Sequence, residues 1–168
     1  MVNIGDSFRL GWEGKDPAEK QVETLKVVAD AIETEAAGKA PDYLPYVPEK
    51  LDETTPLDLA QATDYYRTPR AFHPRSENKM SMRSVPLLVG FDAFHLAEIY
   101  LQQPALLIAG DKAGSLWHST GLAKRLAGRA NVVIVQGATH VDFYDQPFSV
   151  KRAVKVAGDF FKEHLNHF

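Results

Sequence analysis

The chain has 168 residues, 45% of them hydrophobic, a formal net charge of -3 and no cysteine. That length buries one sizeable core and is most simply a single domain, 1–168, while the missing cysteines exclude disulfides, thiolate nucleophiles and cysteine-based zinc sites. Lysine and arginine are scattered rather than clustered, which gives nucleic acid no surface. No apolar run reaches membrane-spanning length, so no membrane partner is expected. The N-terminus lacks the basic-then-apolar layout of a signal peptide, and the expected setting is soluble and cytoplasmic.

Met1 to Gly5 is a short apolar start, too brief for a full strand. The first helix is predicted from Asp16 to Gly38, with Asp16 as cap, Pro17 at the first helical position and Glu19 closing a capping box. Val22, Leu25, Ala29, Ile32 and Ala36 recur at helical spacing and mark its buried face. From Pro41 to Pro86 the composition changes, for seven of the ten prolines fall there with four tyrosines among them. Proline at this density interrupts helix and strand pairing alike. A short helix is expected from Pro56 to about Tyr66, capped by Thr55. The long excursion reads as a lid or as a packed surface wrap.

Ser84 to Leu101 is read as helical with a break, Asp92 capping the second piece. Ala105-Leu106-Leu107-Ile108-Ala109-Gly110 is a buried strand. Asp111-Lys112-Ala113-Gly114 follows as a loop, and Ser115 caps a helix ending near Gly128, with Leu116, Ala123 and Leu126 inward. A last helix from about Pro147 carries Val150, Ala153, Val154, Ala157, Phe160, Phe161 and Leu165 inward. Strand, helix, strand, helix is the signature of a small parallel sheet flanked by helices, an α/β architecture.

The centre of this arrangement is Asn131-Val132-Val133-Ile134-Val135-Gln136-Gly137-Ala138-Thr139-His140-Val141-Asp142. The β-branched run suits a strand buried on both faces. His140 just past its carboxyl end lies where open α/β sheets bind ligands. A histidine there points to nucleophile–His–acid hydrolysis, which needs a serine, an acid to fix the imidazole, and amide donors for the oxyanion. No G-x-S-x-G nucleophile motif occurs. The serines, Ser7, Ser76, Ser81, Ser84, Ser115, Ser119 and Ser149, sit in loop, cap or helix-start contexts.

Asp64-Tyr65-Tyr66-Arg67-Thr68-Pro69-Arg70 with His73-Pro74, Phe91-Asp92-Ala93-Phe94, Leu106 to Gly110, and above all Gly137-Ala138-Thr139-His140-Val141-Asp142-Phe143-Tyr144-Asp145 resemble the C-terminal half of an α/β-hydrolase. The similar branch is that of dienelactone-hydrolase-like and polyketide-transferase-like esterases. The resemblance implies a truncated α/β-hydrolase fold with a lid-like helical insertion at 41–101, Met1 to Gly5 as the remnant of a strand, His140 as catalytic base and a small ester as substrate. It implies no cofactor. Where many relatives carry the acid, four residues after the glycine that ends the penultimate strand, this chain has Gly114. Asp111 and Asp142 are then the alternative acids.

On that resemblance the chain is an ester-hydrolase portion, inactive alone without a nucleophile. A reading from another class is a non-catalytic association module that pairs with a second copy, as a homo-oligomer, or with a separate N-terminal half. A lesser alternative is a GDSL-type esterase, from Gly5-Asp6-Ser7 and Asp92-Ala93-Phe94-His95, with Ser7 as nucleophile. Of the six histidines, only His164 and His167 have helical spacing. At a chain end these read as solvated surface, so no metal site is expected.

Overall fold

A computed structural model describes residues 2–165. Two compact units emerge, one formed by Asn3–Ala93 and the other by Val2 with the described residues from Phe94 onward.

In the first unit the chain opens not with a strand remnant but with helix α1, Ile4–Leu10. The reason is long-range. Asn3 is fully buried, its amide donates to Asp92 at 2.7 Å and to Asp6 at 2.9 Å, and its Oδ1 accepts from Ala93 N at 3.1 Å. Arg9 donates to the carbonyls of Val89 at 2.6 Å and Phe91 at 2.8 Å. Gly5 is required by this approach, since a Cβ there would lie 1.8 Å from the Phe91 carbonyl oxygen. These bonds satisfy polar groups that burial would otherwise leave costly.

Helix α2, Ala18–Ala36, lies where expected, although Pro17 occupies its cap position and no side chain caps it. Asp16 instead pairs with Lys20 at 2.9 Å, so the expected capping box does not form. Its buried face is turned by about one residue from the expected one. Val28 is the buried residue, packed with Val85 and Met82, and Ile32 joins that cluster, whereas Val22 is 52% exposed. Leu25 and Ile32 fit both the expected stripe and the observed face, and packing of Val28 against Val85 leaves Ala29 and Ala36 exposed.

Strand β1, Tyr43–Leu44, pairs antiparallel with β2, Met80–Ser81, closing the proline-rich excursion at its two ends. Between them runs α3, Leu57–Arg67. Thr55 does not cap this helix; its hydroxyl accepts from Asp52 N at 3.0 Å and shapes the preceding turn. Helix α4, Ser84–Gly90, ends the unit.

The second unit begins at Phe94, and the break predicted between Ser84 and Leu101 is present. Helix α5, Ala97–Tyr100, starts after Leu96, whose φ of 54° turns the chain through the left-handed region, and not after an Asp92 cap. Strand β3, Ala105–Gly110, pairs in parallel with β4, Ala130–Val135, in the register Ala105↔Ala130 to Gly110↔Val135. Among the described residues this sheet has two strands. Burial along β4 is partial, with only Val135 fully buried, so the expectation of a strand covered on both faces is not met.

Helix α6, Leu116–Arg125, crosses between the two strands. It drives Leu122 and Leu126 into a core with Phe94 and Leu107, ringed by Leu101, Ala123, Ala130 and Val132. Arg125 and Arg129 hold the approach to β3 by donating to the carbonyls of Phe94, Glu98 and Leu101 at 2.8–3.1 Å. After β4 come the one-turn helix α7, Asp142–Asp145, and α8, Pro147–Leu165. On α8, Val150, Ala153, Ala157 and Phe160 are at least partly buried. Val154, Phe161 and Leu165 are exposed, because seven apolar positions spread too far around a helix for one face to cover them.

Candidate functional site

The carboxyl ends of β3 and β4 are stitched together by the two loops that leave them. Asp111 N donates to Val135 O at 3.2 Å and Lys112 N to Ala138 O at 3.0 Å. The second contact is so close that a Cβ on Gly110 would sit 2.0 Å from the Ala138 carbonyl oxygen. Only glycine passes there. Gly137, with φ of +77°, then turns the chain sharply, which glycine does without steric cost.

The two aspartates considered as acids bracket this turn. Asp111 Oδ1 accepts from Gly137 N at 2.6 Å, and Asp142 Oδ2 accepts from Thr139 N at 2.8 Å. Each carboxylate thereby fixes the backbone that delivers His140, by charge-assisted bonds stronger than those between neutral groups.

The imidazole of His140 lies between two hydroxyls. Its Nδ1 is 3.2 Å from Ser115 Oγ, and its Nε2 is 2.8 Å from Tyr144 Oη. The Tyr144 ring, four residues on, also meets the imidazole edge-on at 5.6 Å between centroids. Ser115 is buried, 4% exposed, whereas Tyr144 is 48% exposed. The ring therefore turns Nδ1 inward and Nε2 outward. Ser115 occupies the cap position of α6 as expected, but makes no capping bond with its side chain. Its hydroxyl goes to His140 instead.

Next to this pair is a cavity of about 180 Å³, lined among others by Gly110, Ser115, Leu116, Ser119, His140 and Phe143. Ser119, one turn along α6 from Ser115, is buried as well. The Thr139 hydroxyl is buried without a hydrogen-bond partner among the described residues.

Sequence reading singled out His140, Asp111 and Asp142 and missed Ser115 and Tyr144 as its neighbours. The i, i+4 spacing of His140 and Tyr144 within one motif was the available signal for the second. For Ser115 there was none beyond its place in the loop after β3.

Of the remaining candidates, Ser7 lies buried within α1, and Asp6 beside it is bonded to Asn3 and Arg9. His95 is exposed in the second unit. His164 Nδ1–H donates to Phe160 O at 3.0 Å, and the imidazole stacks on the Phe160 ring. His167 lies outside the described residues. Among the described residues no group of three or more His, Asp or Glu side chains could hold a metal, and no helix is long and apolar enough to cross a membrane.

No protein-family profile matches the chain. It is 35% identical over 165 residues to the uncharacterized protein YcjY of Escherichia coli K12, covering 98% of this chain and 54% of that protein. It is 32% identical over 178 residues to protein PA2218 of Pseudomonas aeruginosa, covering 98% of this chain and 44% of PA2218. The chain thus spans about half the length of the curated relatives it matches.

The crystal structure of PA2218 superposes with a TM-score of 0.81 at 28% identity, covering 98% of this chain and 51% of that one. The α/β-hydrolase GrgF of Penicillium sp. sh18 gives 0.63 at 19% identity over 87% of this chain and 50% of its own. DcsB, solved with its substrate analogue, gives 0.71 at 14% identity over 88% of this chain and 53% of its own. The fold is α/β-hydrolase-like.

Proposed function

We propose that this chain carries the histidine-bearing part of an ester-hydrolysing α/β-hydrolase site whose nucleophile lies on a separate segment. The observation that supports this best is the His140 ring at the carboxyl end of β4, with Nδ1 held inward at a buried hydroxyl and Nε2 turned outward beside a cavity. A general base needs one nitrogen held and the other free to take a proton from the attacking hydroxyl. In this reading Tyr144 occupies the outer nitrogen until a nucleophile displaces it. Asp111 and Asp142 set the turn, and residues 41–101 keep the lid role that the resemblance assigns. The substrate class is a small ester, the setting cytoplasmic, and the 168 residues alone are inactive.

The test combines fluorophosphonate labelling with complementation. The purified chain alone should take no label at any serine. Mixed and refolded with the amino-terminal half of PA2218, it should bring label to a serine of that half and restore hydrolysis of p-nitrophenyl acetate, both lost with His140→Ala. Hydrolysis that survives His140→Ala, or labelling of a serine within this chain, refutes the assignment, and label at Ser7 specifically would favour the GDSL-type alternative.

A second reading rests on a different observation. Among the described residues β3 and β4 each have an edge with no strand beside it, and such edges pair readily with other chains. A module that associates with a second copy or with a separate N-terminal half, without catalysis, would give stable complexes and no rescue.

A further inference from the structure

We propose that the first unit holds a binding site for a small aromatic carboxylate, in the cavity between the carboxyl end of α3 and the segments 46–47 and 76–79. Every residue of this site belongs to that unit, so it stands or falls independently of the role given to His140.

The cavity has about 290 Å³ and is lined by Tyr46, Val47, Tyr66, Arg67, Asn78 and Lys79 among others. Pockets for drug-sized ligands run from about 300 to 1,000 Å³, so this one suits a single ring with one polar group. Its framework is fastened on two sides. The Asn78 side-chain amide donates to Val47 O at 2.7 Å, and its Oδ1 accepts from Val47 N at 2.9 Å, which fixes segment 46–47 against 76–79. The Thr63 hydroxyl donates to Pro48 O at 3.2 Å and ties the same stretch to α3. Val47 is buried between these ties. A cavity held in shape before its ligand arrives loses little freedom on binding.

The charges around the cavity are unevenly matched. Glu77 pairs with Lys79 at 3.0 Å, and Asp64, in the last turn of α3, pairs with Arg70 at 3.0 Å. Arg67 rests on the Phe72 ring, 5.6 Å from its centroid, and no carboxylate takes its guanidinium among the described residues. The charged side chains of the lining are Arg67, Lys79 and Glu77, which leave one positive charge. The planar fork of a guanidinium matches a carboxylate through two parallel hydrogen bonds.

The rings supply the rest of the selectivity. Tyr46 and Tyr66 are 53% and 42% exposed, large apolar bodies left half in water. Tyr65 meets Tyr66 edge-on at 4.9 Å between centroids and braces it. An aromatic ligand covers such rings with gains beyond the burial of area, and a carboxylate on it reaches Arg67. An aliphatic acid or inorganic phosphate would use the charge and leave the rings wet.

The test is titration of the purified 168-residue chain with sodium benzoate near neutral pH, followed by calorimetry and by amide 15N shifts. Benzoate should bind saturably at a single site, and the shifted amides should cluster at 46–47, 66–67 and 76–79. Benzamide has the ring without the charge, and acetate the charge without the ring. Each should bind at least about tenfold more weakly than benzoate. Arg67→Gln should weaken benzoate by about tenfold or more, and Arg67→Lys, which keeps the charge but not the fork, should recover part of that loss. Acetate or inorganic phosphate binding as tightly as benzoate overturns the proposal, because the site would then read charge alone. Benzoate that fails to saturate, shifts amides elsewhere, or binds Arg67→Gln as well as the wild type overturns it too. The wild-type comparison of benzoate with benzamide and acetate decides even if a variant does not fold.

Discussion

Replacing Gly110 by alanine tests the closure on which the site depends. The added Cβ would lie 2.0 Å from the Ala138 carbonyl oxygen and 2.5 Å from its carbon, both backbone atoms that no side-chain rotation can move aside. The turn has to retreat by about 1 Å or more to reach even a tight contact. That retreat breaks the bond from Lys112 N to Ala138 O, now 3.0 Å, and loosens the one from Asp111 N to Val135 O. Overpacking of this kind costs about 1–3 kcal/mol, and the lost hydrogen bond adds about 1 kcal/mol. A total of about 2–4 kcal/mol corresponds to a fall in Tm of roughly 5–15 °C in a domain of this size. Urea unfolding followed by circular dichroism measures the first figure and a thermal scan the second. Gly121 within α6 is the control, because a Cβ there meets nothing within 4 Å. Gly121→Ala should stabilise the helix by about 0.5–1 kcal/mol. A Gly110→Ala protein as stable as the wild type would refute the close approach of the two loops and, with it, the placement of His140.

Leu126→Ala should cost about 2–5 kcal/mol in urea unfolding, since Leu126 is wholly buried among Phe94, Leu107 and Leu122; a loss under 1 kcal/mol would mean that the cluster is not the core. Thr139→Val should be neutral or stabilise by about 1 kcal/mol, because it removes a buried hydroxyl lacking a partner among the described residues; clear destabilisation would reveal a hidden partner. The Thr54 hydroxyl, ahead of its amide, holds the exposed Asp52 carboxyl below the usual range. A folded-state value below the unfolded one gives stability that is present above the unfolded pKa, near 3.9, and is lost as pH falls through the folded value. Carbon-detected NMR titration should therefore place the Asp52 midpoint lower than in Thr54→Ala, and equal midpoints would contradict the contact.

What the sequence made legible was local. The bounds of β3, the start of α8 and the break before α5 follow from apolar runs, proline and periodicity acting over a few residues. Helix α1 was not legible, because its start is set by Asn3 and Arg9 reaching Asp92, Val89 and Phe91, more than 75 positions away. The face of α2 was misphased because Leu25 and Ile32 fit two neighbouring stripes, and only the packing of Val28 against Val85 selects the one that leaves Val22, Ala29 and Ala36 exposed. His140 was legible from the strand and turn before it, whereas the role of Ser115 was not. A serine before a helix looks the same whether its hydroxyl caps the helix or turns away to a ring 25 residues later.

The apolar surface that remains exposed bears on which of the two readings governs the isolated chain. Two-stranded sheets are marginal in water, and parallel ones are normally covered on both faces. Here the strands pair only with each other among the described residues, while Phe148, Val154, Phe161 and Leu165 of α8 are each more than half exposed. Burying such side chains is worth about 1.5–3 kcal/mol apiece, so association that covers even two of them has a substantial driving force. The isolated chain should accordingly sediment as a concentration-dependent oligomer, and the double change Val154→Lys with Phe161→Lys should shift it toward monomer and make its urea midpoint independent of protein concentration. If the amino-terminal half of PA2218 displaces the self-associated form and hydrolysis appears, association is the isolated chain's substitute for that half. If the chain is monomeric at every concentration and binds no half-protein, neither strand edges nor α8 drive assembly, and the association reading fails.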